Sequence, residues 1–227
     1  MHKLKQSIRL IVFDLDGTLV DAYAAIISSF NYTMHTLKYP KRDSLTIKRA
    51  VGWGDEALLR PFADKKDLKK AVAIYRRHHR ESLLEGSRLI QGARYVLEFL
   101  KKKGYNLAVA SNRPRKFSLL LMRHLNIHKY FDFVLCGDEL TNPKPNPQIL
   151  IKIMKNFGVS RRQTLYVGDM HVDVQTANRA KVKMIAVLTG SSNAGEIKKE
   201  RPYRLIKGVS YLPALLRSLQ LDLSRVI

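Results

Sequence analysis

The apolar positions of this chain follow two rhythms, and the change between them divides the sequence. Between residues 20 and 85 they recur at spacings of three and four, as in amphipathic helices. Ile27, Phe30, Met34 and Leu37 form one stripe within residues 21–38, which Tyr39-Pro40 ends. Residues 45–51 predict a short helix closed by Gly52-Trp53-Gly54, after which Asp55 caps another through Leu59. Leu68, Ala71, Val72, Tyr75 and Leu83 carry a longer helix from Asp64 to about Leu84. Nothing in this stretch reads as a strand, so it is predicted to be an all-helical insertion.

On either side of it, short apolar runs alternate with helical stripes. Ile8 to Phe13, interrupted only by Arg9, reads as a strand buried on both faces. Residues 107–110, 131–136, 164–167 and 183–188 predict further strands, with 203–206 as a last one at the edge. Ala93, Val96, Leu97 and Leu100 mark a helix that Gly104 closes. Phe117, Leu120, Leu121 and Leu125 mark the next, and Asn146-Pro147 open one that runs through Phe157. Ala177 and Ala180 let the helix after residues 164–167 pack closely on the sheet. Alternating strands and helices require a parallel sheet with right-handed crossovers and helices on both faces. The predicted fold class is α/β, a Rossmann-like sheet built from residues 1–19 and 86–227, with the helical insertion at 20–85.

The first strand runs straight into Asp14-Leu15-Asp16-Gly17-Thr18. Carboxylates at the end of a buried strand are costly unless something compensates them. A solvated turn is the bland reading. An EF-hand loop counted from Asp14 needs Glu at its twelfth position, where Ala25 stands. A cation held at the carboxyl edge of the sheet, where open α/β sheets bind ligands, explains the pattern better. Asp14, Ser111 and Asp169 each follow an apolar strand, and Lys144 lies in the loop after another. Singly, such residues are ordinary caps or solvated side chains. In a parallel sheet all four gather at one edge.

That set suits a phosphate ester. An attacking aspartate and a phosphate repel by about 4 kcal/mol per charge pair at 4 Å in an effective dielectric of 20. Mg²⁺ between them reverses this, and it needs only a few protein oxygens. Asp14 and Asp169 are the candidate carboxylate ligands, with the Asp16 carbonyl as a third. Lys144 would offset the remaining negative charge near Asp14, and Ser111 would hold a phosphate oxygen.

Composition narrows the class. With 227 residues, 45% of them hydrophobic, the chain can bury a sizeable core. The one cysteine, Cys136, lies in an apolar run and is expected to be a small core residue. It excludes a disulfide framework within the chain and suits a reducing compartment. No apolar run is long enough to span a bilayer, and the basic opening Met1 to Ser7 lacks a leader's apolar stretch. A cytoplasmic location with no membrane partner is expected.

The formal charge is +22, of which residues 20–90 supply +6 (14 Lys/Arg, 8 Asp/Glu) and the rest of the chain +16. Such a field draws a small anionic substrate or nucleic acid. Binding of nucleic acid, or removal of phosphate from its ends, is therefore the rival reading. No aromatic residues are interleaved with Lys101, Lys102 and Lys103 as a stacking platform requires.

Asp14-Leu15-Asp16-Gly17-Thr18, Ser111-Asn112, Lys144-Pro145-Asn146-Pro147 and Gly168-Asp169-Met170-His171-Val172-Asp173 resemble, in order, the four motifs of the haloacid dehalogenase-like hydrolase superfamily. The stretch Lys48 to Leu59 is similar to the cap segment of its phosphoglycolate phosphatase-like members. The resemblance implies a Mg²⁺-dependent phosphatase with a helical cap, Asp14 as nucleophile and Asp16 as general acid and base. It further implies Ser111, Asn112 and Lys144 on the phosphate, Asp14, Asp16 and Asp169 on the metal, and Thr18 and Asp173 in support. A carboxylate at Asp16 argues against dehalogenation, since a halide needs no proton, and leaves a phosphomutase open. Arg49 and Trp53 are candidates to select the leaving group from the cap side. His78 and His79, being adjacent, face different sides of a helix and are expected to bind no metal. Lys181 stands where the family usually closes a helix with glycine, so that end is expected to be built differently. Arg113 stands where lysine is common.

Overall fold

A computed structural model of the chain describes residues 8–224. The basic opening segment, residues 1–7, lies outside the described residues. In chain order the strands are β1 (Leu10–Phe13), β2 (Val20–Asp21), β3 (Arg88–Leu89), β4 (Asn106–Ser111), β5 (Phe133–Cys136), β6 (Thr164–Gly168), β7 (Lys183–Val187) and β8 (Arg204–Ile206). The helices are α1 (Tyr23–Thr36), α2 (Ser44–Ala50), α3 (Asp55–Leu59), α4 (Leu68–Gly86), α5 (Ala93–Lys102), α6 (Arg115–His124), α7 (Gln148–Phe157), α8 (His171–Ala180), α9 (Ala194–Lys199) and α10 (Leu212–Ser224).

β1 sits at the middle of a six-stranded parallel sheet ordered β5-β4-β1-β6-β7-β8. Its four side chains are wholly buried. Because successive side chains of a strand point to opposite faces, Ile11 and Phe13 enter one core while Leu10 and Val12 enter another. The first core is closed by Val96 and Leu97 of α5, Leu121 of α6 and Leu212 of α10. The second is closed by Ile149 and Ile153 of α7, Val174 and Ala177 of α8 and Ile197 of α9. This double cover is why β1 reads as an unbroken apolar run. The chain leaves β1 for β4 and β5 on one side and returns to β6 on the other, so the strand order reverses beside β1. At such a reversal a crevice opens at the carboxyl edge.

The insertion has its own buried cluster, which includes Ile26, Phe30 and Met34 of α1, Ile47 of α2, Leu59 of α3 and Tyr75 of α4. Ile26, rather than Ile27, is the fully packed residue of the first stripe. The insertion is not helical at its edges. Val20 and Asp21 pair antiparallel with Leu89 and Arg88, and Arg88 Nη2 donates to Asp21 Oδ2 at 2.8 Å. Two-residue strands show no periodicity, which hides the ribbon from the sequence. α4 starts at Leu68 because Tyr39 holds the preceding segment as a turn. Its hydroxyl donates to Asp67 Oδ2 (2.8 Å) and accepts from the Asp64 N–H (3.1 Å). Asp55 lies in the first turn of α3, after Gly54, and accepts from Arg76 Nε at 2.8 Å instead of capping.

The end of α8 keeps the glycine-type geometry with a lysine in it. Lys181 has φ +57, and the Val182 N–H donates to the Ala177 carbonyl at 2.9 Å. An L-residue in this left-handed conformation costs about 1 kcal/mol. Lys181→Gly is therefore expected to raise stability by about 0.5–1 kcal/mol in a urea titration; a lower midpoint contradicts this reading of the turn.

Candidate active site

The carboxyl ends of β1, β4 and β6 lie side by side, and the loop after β5 reaches the same edge. Asp14 leaves β1 with its N–H on the Val167 carbonyl of β6 (2.8 Å). Lys144, 4% exposed, crosses from its loop and donates from Nζ to Asp14 Oδ1 and Asp173 Oδ1, both at 2.6 Å. It also reaches the Tyr166 hydroxyl at 3.1 Å. That hydroxyl itself donates to Asp173 Oδ1 (2.7 Å). Carboxylate oxygens of Asp14, Asp169 and Asp173 come within 4.8 Å of one another, all from buried residues.

Asp169 is built in tightly. Thr18 Oγ1 donates to its Oδ1 at 2.9 Å, while its Oδ2 is buried with no hydrogen-bond partner among the described residues. Gly17 (φ +80) and Gly190 press on that carboxylate, and a Cβ at either position would collide with Oδ2. The glycine after Asp16 is thus demanded both by its backbone angle and by the carboxylate above it.

Three carboxylates here face one ammonium. Burial first, then the charges of Asp173 and Asp16, push Asp14 up to about 7 although Lys144 pulls it down. Burial and the charges of Asp14 and Asp173 push Asp169 well above the usual carboxylate range. For Lys144 the two facing carboxylates outweigh burial, so its proton is held more firmly than usual. Counting −3 from the carboxylates and +1 from Lys144, the ionised cluster carries two surplus negative charges. One divalent cation matches that surplus, the unpartnered Asp169 Oδ2 is a ready donor atom, and an all-oxygen donor set suits a hard ion. The residues present fit such a cation.

Ser111 ends β4 and lines the cavity above this cluster. Its Oγ accepts from the Arg113 N–H at 3.2 Å. Asn112 is used differently from a free phosphate donor. Its Nδ2 donates to the carbonyls of Gly52 (2.9 Å) and Lys144 (3.0 Å), and its Oδ1 accepts from the Lys144 N–H (3.0 Å). It clamps the lysine loop and the insertion together. Asp16 lines the cavity too, but both of its oxygens are occupied. Arg113 Nε donates to Oδ2 at 2.8 Å and Nη2 to Oδ1 at 2.7 Å.

Arg49 and Trp53 do not line the cavity. Arg49 pairs with Glu196 at 2.5 Å, and the Trp53 ring lies 5.9 Å from that of His171. Both bridge from the insertion to the sheet domain's helices. The insertion's share of the cavity wall includes Val51, Gly52, Gly54, Asp55, Leu58 and Tyr75.

Two residues of the site carried no signal as such in the sequence, and a third only a partial one. Tyr166 sits within an apolar strand and reads as core. His79 lies on an amphipathic helix, yet it is 1% exposed, accepts from Arg113 Nη1 at 2.7 Å and meets Ser29 Oγ at 3.1 Å. Arg113 was visible as a departure at a strand end, but its partners were not. Burial first, then Arg113's charge, lowers His79 from 6.5 to about 2.

The unfolded chain therefore takes up a proton on His79 that the fold refuses. The stability this contributes is full above about pH 6.5 and is lost as pH falls toward the folded value. Between pH 7 and pH 5 that loss is about 2 kcal/mol. The raised carboxylates act in the opposite sense, so the comparison is between wild type and His79→Gln, whose amide keeps an acceptor for Arg113. Urea titrations at the two pH values are expected to show the smaller acid loss in the variant; equal losses contradict a neutral buried His79.

The model of the haloacid dehalogenase-like hydrolase family matches residues 11–187. A phosphoglycolate phosphatase of Aquifex aeolicus is 31% identical over 203 residues, covering 88% of this chain and 95% of its own. One from Pseudomonas putida is 31% identical over 207 residues, covering 87% and 76%. The crystal structure of a predicted phosphoglycolate phosphatase from Haemophilus somnus superposes with a TM-score of 0.86 at 25% identity, covering 92% and 97%. The chain belongs to the haloacid dehalogenase-like hydrolase family, on its phosphoglycolate phosphatase-like branch, and is a phosphoric monoester hydrolase.

Proposed function

We propose that this chain is a Mg²⁺-dependent phosphatase acting on a small phosphate monoester, phosphoglycolate-like or a sugar phosphate, through an aspartyl-phosphate on Asp14. The observation that carries the reading is the pair of surplus negative charges left by Asp14, Asp169 and Asp173 around Lys144. The two curated relatives named phosphoglycolate phosphatase support the substrate class.

Asp14 and Asp169, with the Asp16 carbonyl, would hold Mg²⁺, which when bound supplies charge neutralisation at the phosphoryl oxygens. With Oδ1 fixed by Lys144, Asp14 presents Oδ2 to phosphorus. The P–O bond to the leaving group breaks as the Asp14–P bond forms, and Asp16 gives its proton to the departing oxygen. Asp16 then takes a proton from the water that attacks the intermediate, which releases phosphate and restores Asp14. Ser111 holds a phosphoryl oxygen. Lys144 orients Asp14 and shares charge with the phosphate, and Asp173 and Tyr166 hold Lys144 in place. Thr18 aims Asp169. Asn112 is assigned to positioning the Lys144 loop.

Residues 20–85 act in this proposal as a cap over a core formed by 1–19 and 86–227. Val51, Gly52, Leu58 and Tyr75 supply the cap's part of the cavity wall, which supports a small ester over a nucleic-acid end. Arg49 and Trp53 contribute at the cap–core seam. The buried Cys136 thiol and the absence, among the described residues, of a helix long and apolar enough to cross a membrane accord with a cytoplasmic enzyme.

Phosphate release from an aryl phosphate is expected to require added Mg²⁺, to stop with excess EDTA, and to fall at least ~1000-fold in Asp14→Asn without loss of the thermal transition. Activity that persists in EDTA contradicts the metal role, and activity that survives in the folded Asp14→Asn chain reassigns the nucleophile.

A further inference from the structure

Most of the chain's positive charge lies away from the cavity. In a parallel sheet each crossover helix runs back against the strands, so its last turn and the loop after it arrive at the amino edge, opposite the site. The five returns of this sheet cover residues 101–106 into β4, 123–133 into β5, 155–164 into β6, 179–183 into β7 and 198–204 into β8. Together they hold 15 Lys/Arg and 2 Asp/Glu, a net of +13 out of the chain's +22. Arg9 adds a further cation just before β1. Its N–H donates to the Gln163 carbonyl at 2.9 Å and its carbonyl accepts from the Asn106 N–H at 3.0 Å, which ties it between two of those returns. The carboxyl edge has the opposite character, with Asp14, Asp16, Asp169 and Asp173 in the site and Asp138 and Glu139 after β5.

The ordinary uses of such cations fall short. Lysines and arginines in a last turn offset the negative end of a helix, about half a charge each, so α5 to α9 account for about two and a half charges. Pairing accounts for one more. Among the described residues Lys101 alone of the fifteen forms an ion pair, with Asp132 Oδ1 at 2.8 Å, while Glu200 is engaged by Gln175 Nε2. The other fourteen are exposed. Nor does this field draw substrate into the cavity, since it is centred on the far edge.

The shape of the patch selects its occupant. Six strand ends in the order β5-β4-β1-β6-β7-β8, about 4.8 Å apart, make a row about 24 Å long. A compact anion needs cations that converge, and these are spread along an edge. A membrane surface needs apolar side chains among the cations, and none of the exposed large apolar side chains among the described residues lies in these five segments. Stacking of unpaired bases needs a free ring. Tyr203 stands in the row, but Lys183 Nζ and the Arg204 guanidinium each already lie 4.5 Å from its ring centroid. An extended polyanion held by its charges alone fits what is left, and the row matches about seven base pairs at 3.4 Å per pair.

We propose that the amino edge of the sheet is a binding surface for the phosphate backbone of duplex nucleic acid, without sequence preference and separate from the cavity. The inference goes beyond the phosphatase reading and does not depend on it. The ester site stays open at the opposite edge while the duplex is bound.

The test is fluorescence anisotropy of the full chain with a labelled duplex of about 20 base pairs at constant Mg²⁺. About five phosphate contacts are expected, which weakens binding roughly 500-fold between about 50 and about 200 mM salt, alike for unrelated sequences. Lys102→Glu, Arg161→Glu and Lys183→Glu combined are expected to weaken binding at least ~30-fold at fixed salt. The thermal transition and aryl phosphate hydrolysis of that variant are expected to match the wild type. A triple on the cap with the same change in net charge, Lys65→Glu, Lys69→Glu and Lys70→Glu, is expected to cost less than ~5-fold, because charges more than about 10 Å apart are screened. Equal losses in the two triples, no binding at the lowest salt, or a single strand bound more tightly than the duplex overturns the inference. So does competition by polyglutamate or phosphatidylserine vesicles as strong as by unlabelled duplex. Should the edge triple not fold, Lys198→Gln with Lys199→Gln takes its place in the same comparison.

Discussion

One ammonium group faces three carboxylates at the edge of this sheet, and the rest of the structure is arranged to make that tolerable. Lys144 reaches Asp14 and Asp173 at 2.6 Å each, and Tyr166 ties the same carboxylate from below. Asp169 has one oxygen satisfied by Thr18 and the other by none of the described residues. Such a cluster is unstable by itself at neutral pH, because burial and mutual repulsion both favour protonation. It becomes favourable when a divalent cation takes up the surplus charge. Binding and chemistry are thus paid for by the same fold energy, which the two apolar cores supply.

The topology explains why these groups meet at all. β1 is flanked by β4 and β6, and the loop after β5 adds the lysine. β1, β4 and β6 are buried on both faces, so none of the three can slide without unpacking a core. Asn112 extends the same rigidity upward, since its amide joins the Lys144 backbone to Gly52 of the insertion.

Much of this was legible in the sequence. Five of the six core strands appear as apolar runs, three of which (β1, β4 and β6) end at residues that meet in the site, and β8 appears as a short run near the end. The carboxylates and Lys144 stand where a parallel sheet gathers them. What was hidden has physical causes. The β2–β3 ribbon is too short to have a period. Asn112's engagement with backbone carbonyls, and the fork of Arg113 on Asp16, depend on loop conformations that no spacing encodes. His79 presents the apolar-side pattern of a core residue, and its polar role exists only because Arg113 comes to it from 34 positions away. Lys181 shows the reverse case, a residue whose type argued against a left-handed turn that the chain nevertheless forms, because the Val182 and Ala177 backbone groups close it.

The central claim is that one hard divalent ion completes the Asp14–Asp169–Lys144 cluster, and a crystal soaked in Mn²⁺ addresses it directly. The account predicts a single strong anomalous peak in this crevice, in contact with carboxylate oxygens of both Asp14 and Asp169. A peak at another place, or none here while the ion is bound elsewhere, would contradict it.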